Sequence, residues 1–127
     1  AMDKVMSKKI FRVEGIPTPP EVVVRSRDDA DRFLQAIHTG AAQVTCPFVV
    51  KPSRQGSTIG ITIVEKPEQA AAALQTALAY DSEVLIEAFI RGMEITAPVL
   101  GNRDLTALPL IEIVPASGFY DYEAKYT

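Results

Sequence analysis

A glycine-rich loop between two short apolar runs constrains the fold of this chain more than any other feature. The first run, Pro-Phe-Val-Val at 47–50, ends at Lys51, and the second, Ile-Thr-Ile-Val at 61–64, follows Gly60. This order predicts a strand, a flexible loop and a second strand. Glycine lets the backbone approach a ligand closely, and successive N–H groups form a concavity that binds anions. The segment therefore predicts an anion site beside one fixed ammonium, with an ordinary glycine-rich hairpin as the alternative.

The loop does not match the Walker A pattern of other phosphate-binding loops. The order Gly-x-x-x-x-Gly-Lys-Ser/Thr is absent, and the residues after Gly60 do not begin a helix. Any phosphate site here is therefore of a different kind, in which the lysine precedes the loop.

Composition limits the classes of protein to which the chain can belong. The 127 residues are 47% hydrophobic, enough for the core of one domain, or of a domain and part of another. The net charge of −3 argues against a dedicated nucleic-acid binder, which typically has a basic face. No apolar run has membrane-spanning length, and we expect neither a membrane span nor a signal peptide. Cys46 is the single cysteine, so an internal disulfide is excluded. We expect a cytoplasmic protein with no membrane or nucleic-acid partner.

Periodicity and capping residues predict alternating helices and strands. The first helix is expected to run from Asp3 to about Glu14, with Met6, Ile10 and Val13 on one face. Further elements are a strand at 21–24, a helix at 27–39, strands at 47–51 and 61–64, a helix at 67–79, a strand at 83–87, and a hairpin whose strands 93–100 and 105–114 flank residues 101–104. The order predicts an α+β fold: a largely antiparallel sheet covered by helices, followed by an incomplete second antiparallel sheet.

Four separated segments resemble the D-alanine–D-alanine ligases, which belong to the ATP-grasp group of carboxylate–amine ligases. They are Met2-Asp3-Lys4, the loop from Val50 to Gly60, residues 83–87 with Gly92-Met93-Glu94, and residues 120–126, Tyr-Asp-Tyr-Glu-Ala-Lys-Tyr. Their order and separations are typical of the middle of such an enzyme, and the resemblance covers essentially the whole chain. It implies a first ATP-grasp subdomain at 1–90, which carries the phosphate loop, and the start of a second subdomain at 91–127, which ends within a lid loop.

The resemblance implies that the phosphates of ATP contact lysines and the glycine loop. Lys4 and Lys51 would contact the α- and β-phosphates, as point charges in charge-assisted hydrogen bonds. The loop, with Gly56, Ser57 and Thr58, would close over the β- and γ-phosphates. From the residues alone, a solvated lysine at a helix start is the alternative for Lys4.

A lid loop at the end of the chain would complete the catalytic site. The resemblance implies that Lys125 reaches the γ-phosphate from this lid. Tyr126 would close the lid against Ser57 and the dipeptide site. Ser57, Lys125 and Tyr126 are therefore the expected catalytic residues, with simple core aromatics as the alternative for the tyrosine.

The resemblance further implies that one strand end reads the nucleoside. Glu87 would accept a hydrogen bond from the adenine amino group, and the backbone from Ala88 to Ile90 would read the remaining edge of the base. Phe89 and Ile90 would supply an apolar wall. Glu94 would bind the ribose hydroxyls. By pattern alone, an exposed carboxylate at a strand end is the alternative for both glutamates.

The parent enzyme implied by the resemblance is a homodimer that uses ATP and D-alanine. It phosphorylates one D-alanine carboxylate, and the amine of a second D-alanine attacks the acyl phosphate, which forms D-alanyl-D-alanine for peptidoglycan synthesis. The family's amino-terminal domain and the segment that holds two magnesium (or manganese) ions have no counterpart here. We therefore expect no metal ligand in this chain and no activity from the chain alone. The alternatives are a fragment of another ATP-grasp carboxylate–amine ligase, including a D-alanine–D-lactate ligase, or a non-catalytic nucleotide-binding module.

Overall fold

Residues 3–114 are described by a computed structural model, and they fall into two units. The first unit is Ala1–Ile90 and the second is Arg91–Thr127. The assignment of these units to ATP-grasp subdomains stays a prediction. The predicted lid residues Lys125 and Tyr126 lie outside the described residues.

Helices and strands alternate along the first unit in the predicted order. The elements are α1 (Lys4–Val13), β1 (Glu21–Val24), α2 (Arg27–Thr39), β2 (Phe48–Pro52), β3 (Thr62–Val64), a 3-10 turn (Pro67–Gln69), α3 (Ala70–Leu78) and β4 (Val84–Ala88). None of the helices within residues 3–114 has the length and apolar character needed to cross a membrane.

Capping residues set the helix boundaries where the sequence predicts them. The Asp3 carboxylate accepts a hydrogen bond from the Met6 N–H at 2.9 Å, and this bond is the main reason that the pKa of Asp3 lies below its ordinary value. The Ser26 hydroxyl accepts from the Asp29 N–H at 3.1 Å. Gly40 ends α2 in the left-handed conformation, with φ of 78°. These caps satisfy backbone groups that have no partner within the helix.

The four strands of the first unit form one antiparallel sheet in the order β1-β4-β2-β3. Alternate residues of a strand point to opposite faces, and one face of this sheet packs against α2 and α3. On that face Phe33 and Phe48 meet edge to face, with ring centroids 5.4 Å apart. The buried members of this core are Val24, Ala30, Phe33, Val44, Phe48, Val50, Val64, Ala70, Ala73, Leu74, Ala77, Val84 and Ile86. The structure confirms the predicted antiparallel sheet with helices over it.

The opposite face of the sheet carries charge, and α1 lies against it. Met6, Ile10 and Val13 share one face of α1 as predicted, but they are exposed. The buried residues of α1 are Val5 and Lys8. The apolar stripe predicted which residues share a face, but the carboxylates of the sheet determine which face turns inward, because Lys8 pairs with them.

The described part of the second unit is one long hairpin. Strand β5 (Glu94–Thr96) pairs with β8 (Ile111–Ile113), and β6 (Val99–Leu100) pairs with β7 (Thr106–Ala107). Between the two ladders, 97–98 face 108–110, so one strand has an extra residue and the register shifts by one. Pro98 and Pro109 lie in this interruption, where their missing N–H groups break the ladder. None of the described residues of this unit is buried.

Candidate functional site

A cavity of about 270 Å³ lies between α1 and the charged face of the sheet. Three of the residues predicted to bind ATP line it: Lys4, Lys51 and Glu87. The full lining is Lys4, Ser7, Lys8, Phe11, Thr18, Lys51, Leu85 and Glu87. Residues that lie far apart in the sequence thus converge on a single pocket with positive and negative groups side by side.

Strand alternation places Lys51 in this cavity. Val50 and Pro52 are buried in the core, so Lys51 between them points to the opposite face. There its ammonium forms an ion pair with the carboxylate of Glu87 on β4. Burial alone raises the pKa of Glu87, but Lys51 and Lys8 together hold it below its ordinary value. The site therefore contains a carboxylate that stays ionised although it is largely buried.

The buried lysine Lys8 belongs to this site and was not predicted from the sequence. Its ammonium donates to the Pro19 carbonyl at 2.8 Å and to the Glu87 carboxylate, and it lies 3.0 Å from Glu21 Oε2. Arg12, one turn further along α1, also pairs with Glu21. The spacing of four residues between Lys4 and Lys8 puts both on one helix face, and this signal was present in the sequence.

Lys4 anchors the start of the glycine loop. Its ammonium donates to the Pro52 carbonyl at 3.0 Å and to the Gln55 carbonyl, and its backbone N–H donates to the Ser53 carbonyl at 2.9 Å. The Ser53 hydroxyl donates in turn to the Asp3 carboxylate at 3.2 Å. The first turn of α1 and the end of β2 are therefore joined, which places a second ammonium at the base of the loop.

The loop itself contains backbone conformations that residues other than glycine rarely adopt. Ser57 and Thr58 have φ of 56° and 60°, and left-handed residues other than glycine cost about 1–3 kcal/mol each and cluster at ligand-binding sites. Gly60 has φ of 72°, and a Cβ there would lie 2.8 Å from the side chains of Pro52 and Tyr80. Glycine is therefore required at 60 both by conformation and by space.

A buried carboxylate holds the same loop from the other side. Asp81 accepts from the backbone N–H of Arg54 at 2.8 Å and from its guanidinium at 2.6 Å. The hydrogen bond from the Arg54 side chain is the main cause that lowers the pKa of Asp81 to about 2. The loop is thus attached to α1 through Lys4 and to the start of β4 through Asp81.

Some of the backbone N–H groups after Glu87 form hydrogen bonds within the first unit. The Ala88 N–H donates to the Pro20 carbonyl at 3.0 Å, and the Phe89 N–H donates to the Pro47 carbonyl at 3.1 Å. Ile90 is exposed, and its N–H makes no hydrogen bond to another described residue. Among the N–H groups predicted to read adenine, the one at Ile90 is therefore the donor that remains available.

The remaining predicted residues are Glu94, Lys125 and Tyr126. Glu94 opens β5 in the second unit, where it is exposed and opposite Ile113. Lys125 and Tyr126 lie outside the described residues. Within residues 3–114 no group of three or more His, Cys, Asp or Glu side chains is arranged to hold a metal ion.

A larger cavity, of about 510 Å³, lies between α2 and α3 on the opposite side of the sheet. Arg27 and Asp31 are its charged residues, and most of the others are alanine or leucine. Size alone does not identify a nucleotide site, because a polyanion needs several positive donors. The smaller cavity has these donors and the larger one does not.

The family model described as "D-ala D-ala ligase C-terminus" matches residues 10–127. The chain belongs to the D-alanine–D-alanine ligase family. Curated relatives named D-alanine–D-alanine ligase include one from Desulforamulus reducens, 50% identical over 128 residues, and one from Pelotomaculum thermopropionicum, 51% identical over 128 residues. Both matches cover 100% of this chain but only 41% and 40% of the relatives. The chain thus spans about two fifths of the length of these ligases.

Solved structures of ligases in this family have the same fold. The VanG D-Ala:D-Ser ligase from Enterococcus faecalis matches with a TM-score of 0.79 and 35% identity, over 99% of this chain and 36% of that one. The D-alanyl-alanine synthetase A from Vibrio cholerae matches with a TM-score of 0.77 and 26% identity, over 99% of this chain and 38% of that one. These similarities confirm the predicted ligase family and its ATP-grasp fold.

Proposed function

We propose that this chain is the ATP-binding portion of a D-alanine–D-alanine ligase. The parent enzyme would join two D-alanines through an acyl phosphate, in the cytoplasm, for peptidoglycan synthesis, and would act as a homodimer. The observation that carries this proposal is the convergence of Lys4, Lys51 and Glu87 on one cavity beside a strained glycine loop. Family membership supports the reaction, since relatives that match the whole chain are ligases of this name.

In this proposal the two lysines neutralise the α- and β-phosphates of ATP. Lys51 is 23% exposed at its side chain and lies one residue before the end of β2, the strand that leads into the loop. Lys4 already donates to loop carbonyls, so it both shapes the loop and supplies positive charge. Preorganised donors of this kind stabilise charge without reorganisation during the reaction. Gly56, Ser57 and Thr58 would cover the β- and γ-phosphates.

The nucleoside would bind at the end of β4. The ionised Glu87 accepts a hydrogen bond from the adenine amino group, and the Ile90 N–H donates a hydrogen bond to the base. The Phe89 and Ile90 side chains add apolar surface, as is usual for pockets with few polar anchors. Glu94 would bind the ribose hydroxyls. Lys125 and Tyr126 would close over Ser57 and the γ-phosphate.

Magnesium or manganese would screen the charge that develops between the β- and γ-phosphates. The described residues offer no ligand set that fits such an ion, so we assign no metal ligand to residues 3–114. The part that these residues play is to bind and orient the nucleotide, and positioning of this kind is most of what phosphoryl transfer requires of a protein.

Nucleotide titration of the purified chain tests this proposal. ATP is added while backbone amide signals are followed by NMR, which detects weak binding. Lys51→Met removes the ammonium but keeps the aliphatic stem, and Lys9→Met, on the exposed side of α1, is the matched control. We expect Lys51→Met to weaken ATP binding about tenfold, as the loss of one charge-assisted hydrogen bond predicts, and Lys9→Met to leave it unchanged. Equal affinities in all three proteins would contradict the proposed site.

An activity measurement with the same preparation separates binding from catalysis. Incubated with ATP, magnesium and D-alanine, the chain is expected to form no D-alanyl-D-alanine, because it offers no ligand set for the metal within its described residues. Dipeptide formation that disappears with Lys51→Met would show a complete active site and would contradict this expectation.

A further inference from the structure

Two carboxylates face each other across neighbouring strands beneath α1. Glu21 on β1 is the direct partner of Glu87 on β4, and side chains at such positions have Cβ atoms only about 5 Å apart. Like charges placed directly opposite in this way destabilise a sheet. The arrangement therefore needs a cation between the two carboxylates.

Lys8 is that cation. Its ammonium contacts three oxygen atoms of the first unit. It donates hydrogen bonds to the Glu87 carboxylate and the Pro19 carbonyl, and it forms an ion pair with Glu21 Oε2 at 3.0 Å. Glu21 Oε2 is buried and makes no hydrogen bond with a described residue. Lys8 forms an ion pair with this oxygen, and Arg12 pairs with the other oxygen of the same carboxylate. Lys8 itself is 4% exposed.

The three cations that pair with Glu21 and Glu87 differ in whether they can move away from the two carboxylates. Glu21 and Glu87 are balanced by Lys8, Arg12 and Lys51. Lys51 is the cation whose side chain lies at the start of the glycine loop. If Lys51 turns from Glu87 to a phosphate, two carboxylates and two cations remain. Lys8 therefore makes it possible for Lys51 to leave without uncovering a buried charge, which is otherwise strongly unfavourable.

We propose that Lys8 is a positioning residue for base recognition: it holds the Glu87 carboxylate toward the purine amino group while Lys51 exchanges Glu87 for phosphate. The inference rests on the proposed function, in which Glu87 reads adenine. Lys8 touches neither the base nor the phosphates in this scheme. It acts through Glu87, and its effect should therefore appear in selectivity between purines.

The experiment compares ATP with ITP, whose purine carries a carbonyl where adenine carries an amino group. Dissociation constants for both nucleotides are measured by amide NMR for the wild-type chain, Lys8→Met, Lys8→Arg and the control Lys9→Met. We expect the wild type to prefer ATP and Lys8→Met to reduce the ATP/ITP preference about tenfold, the effect of one hydrogen bond to a charged group. Lys8→Arg should retain most of the preference, and Lys9→Met should retain all of it.

The selectivity ratio separates positioning from general destabilisation. If the role of Lys8 were only structural, its substitution would weaken ATP and ITP binding equally. Lys51→Met is expected to weaken both equally, because it removes a contact to phosphate, which the two nucleotides share, and it therefore serves as the reference for that outcome. Should Lys8→Met fail to fold, Lys8→Met/Glu21→Gln removes the facing carboxylate and is compared with Glu21→Gln alone. The same loss of preference is expected in that pair.

Three outcomes would overturn the inference, and they can be distinguished. If the wild type prefers ATP and the Lys8 variants keep that preference, Lys8 does not position Glu87, while the ATP site stands. If the wild type binds both nucleotides equally, the adenine role of Glu87 fails and this inference fails with it, while nucleotide binding stands. If the wild type binds neither nucleotide, the proposed function fails as well.

Discussion

The sheet of the first unit and the hairpin of the second are both rich in apolar residues, yet only one of them has a core. Every buried hydrophobic residue among those described lies between Val5 and Ile86. The hairpin also has many apolar side chains, and most of them, including Val99, Leu100 and Ile111, are exposed. The difference is that α2 and α3 cover the sheet of the first unit, whereas the described residues of the second unit, 91–114, include no helix. Apolar strands need a covering layer before they form a core.

The two faces of the sheet in the first unit also differ from each other in polarity. One face is apolar and packs on α2 and α3, and the other presents Lys51 and Glu87 to α1. Alternate residues of the same strands form the two faces, since Val50 and Lys51 are neighbours in β2 and point to opposite sides. The apolar core of the unit and its charged cavity therefore lie on opposite sides of one sheet.

The largest expected effect is on the stability of the core. Phe48→Ala removes a fully buried ring that packs against Phe33, and we expect it to lower the free energy of unfolding by about 3–5 kcal/mol. Leu100→Ala, at an exposed position of the hairpin, should change it by no more than about 0.5 kcal/mol. Urea denaturation followed by circular dichroism measures both. Similar losses for the two variants would mean that the hairpin also contributes to a core.

A smaller effect on the free energy of unfolding is expected at low pH, and it arises from an ion pair in the first unit. The pKa of Asp81 is lowered from 3.8 to about 2 in the folded chain, so its ion pair with Arg54 contributes stability above pH 4. That contribution is lost as the pH falls from 4 toward 2. Arg54 is half exposed, so solvent screening makes this effect smaller than the loss of a buried core side chain.

Denaturation of Asp81→Asn at several pH values tests this expectation. The variant should lose the part of the acid sensitivity that lies between pH 4 and 2, and Asp104→Asn in the hairpin is the matched control. An unchanged acid profile in Asp81→Asn would show that the pair does not stabilise the fold.

The smallest effect is expected at an ion pair on the surface of the first unit. Arg25 pairs with Glu83 at 2.8 Å, but the arginine side chain is largely exposed. Arg25→Gln should therefore change the free energy of unfolding by less than about 0.5 kcal/mol, similar to a substitution in the hairpin. If urea denaturation shows that Arg25→Gln loses more than about 1 kcal/mol of the free energy of unfolding, exposed ion pairs of the first unit also contribute to its stability.

Much of this arrangement could be predicted from the sequence because the signals are local. Asp3, Ser26 and Gly40 mark helix ends, and the alternation around Val50 places Lys51 on the face away from the core. The turn at residues 101–104 and the strands beside it were likewise predictable. The motif resemblance then named Lys4, Lys51 and Glu87 together, and the structure brings these three into one cavity.

What the sequence did not reveal depends on contacts between distant segments. Lys8 reads as an ordinary surface lysine until Glu21 and Glu87 are known to be opposite each other on β1 and β4. The exposure of Met6 and Ile10 has the same cause, because the burial of α1 is determined by the charges beneath it. Pairing of strands far apart in the chain is a tertiary property, which local periodicity does not encode.

The central claim is that ATP binds on the charged face of the sheet, between α1 and the glycine loop. Amide NMR of the chain with and without ATP tests it most directly, because each amide reports its own position. We predict that the largest shift changes lie in residues 4–8, 51–60 and 85–90, and that residues 27–34 and 71–79 around the larger cavity between α2 and α3 stay unchanged. Shift changes confined to that larger cavity, with none in residues 51–60, would contradict the account.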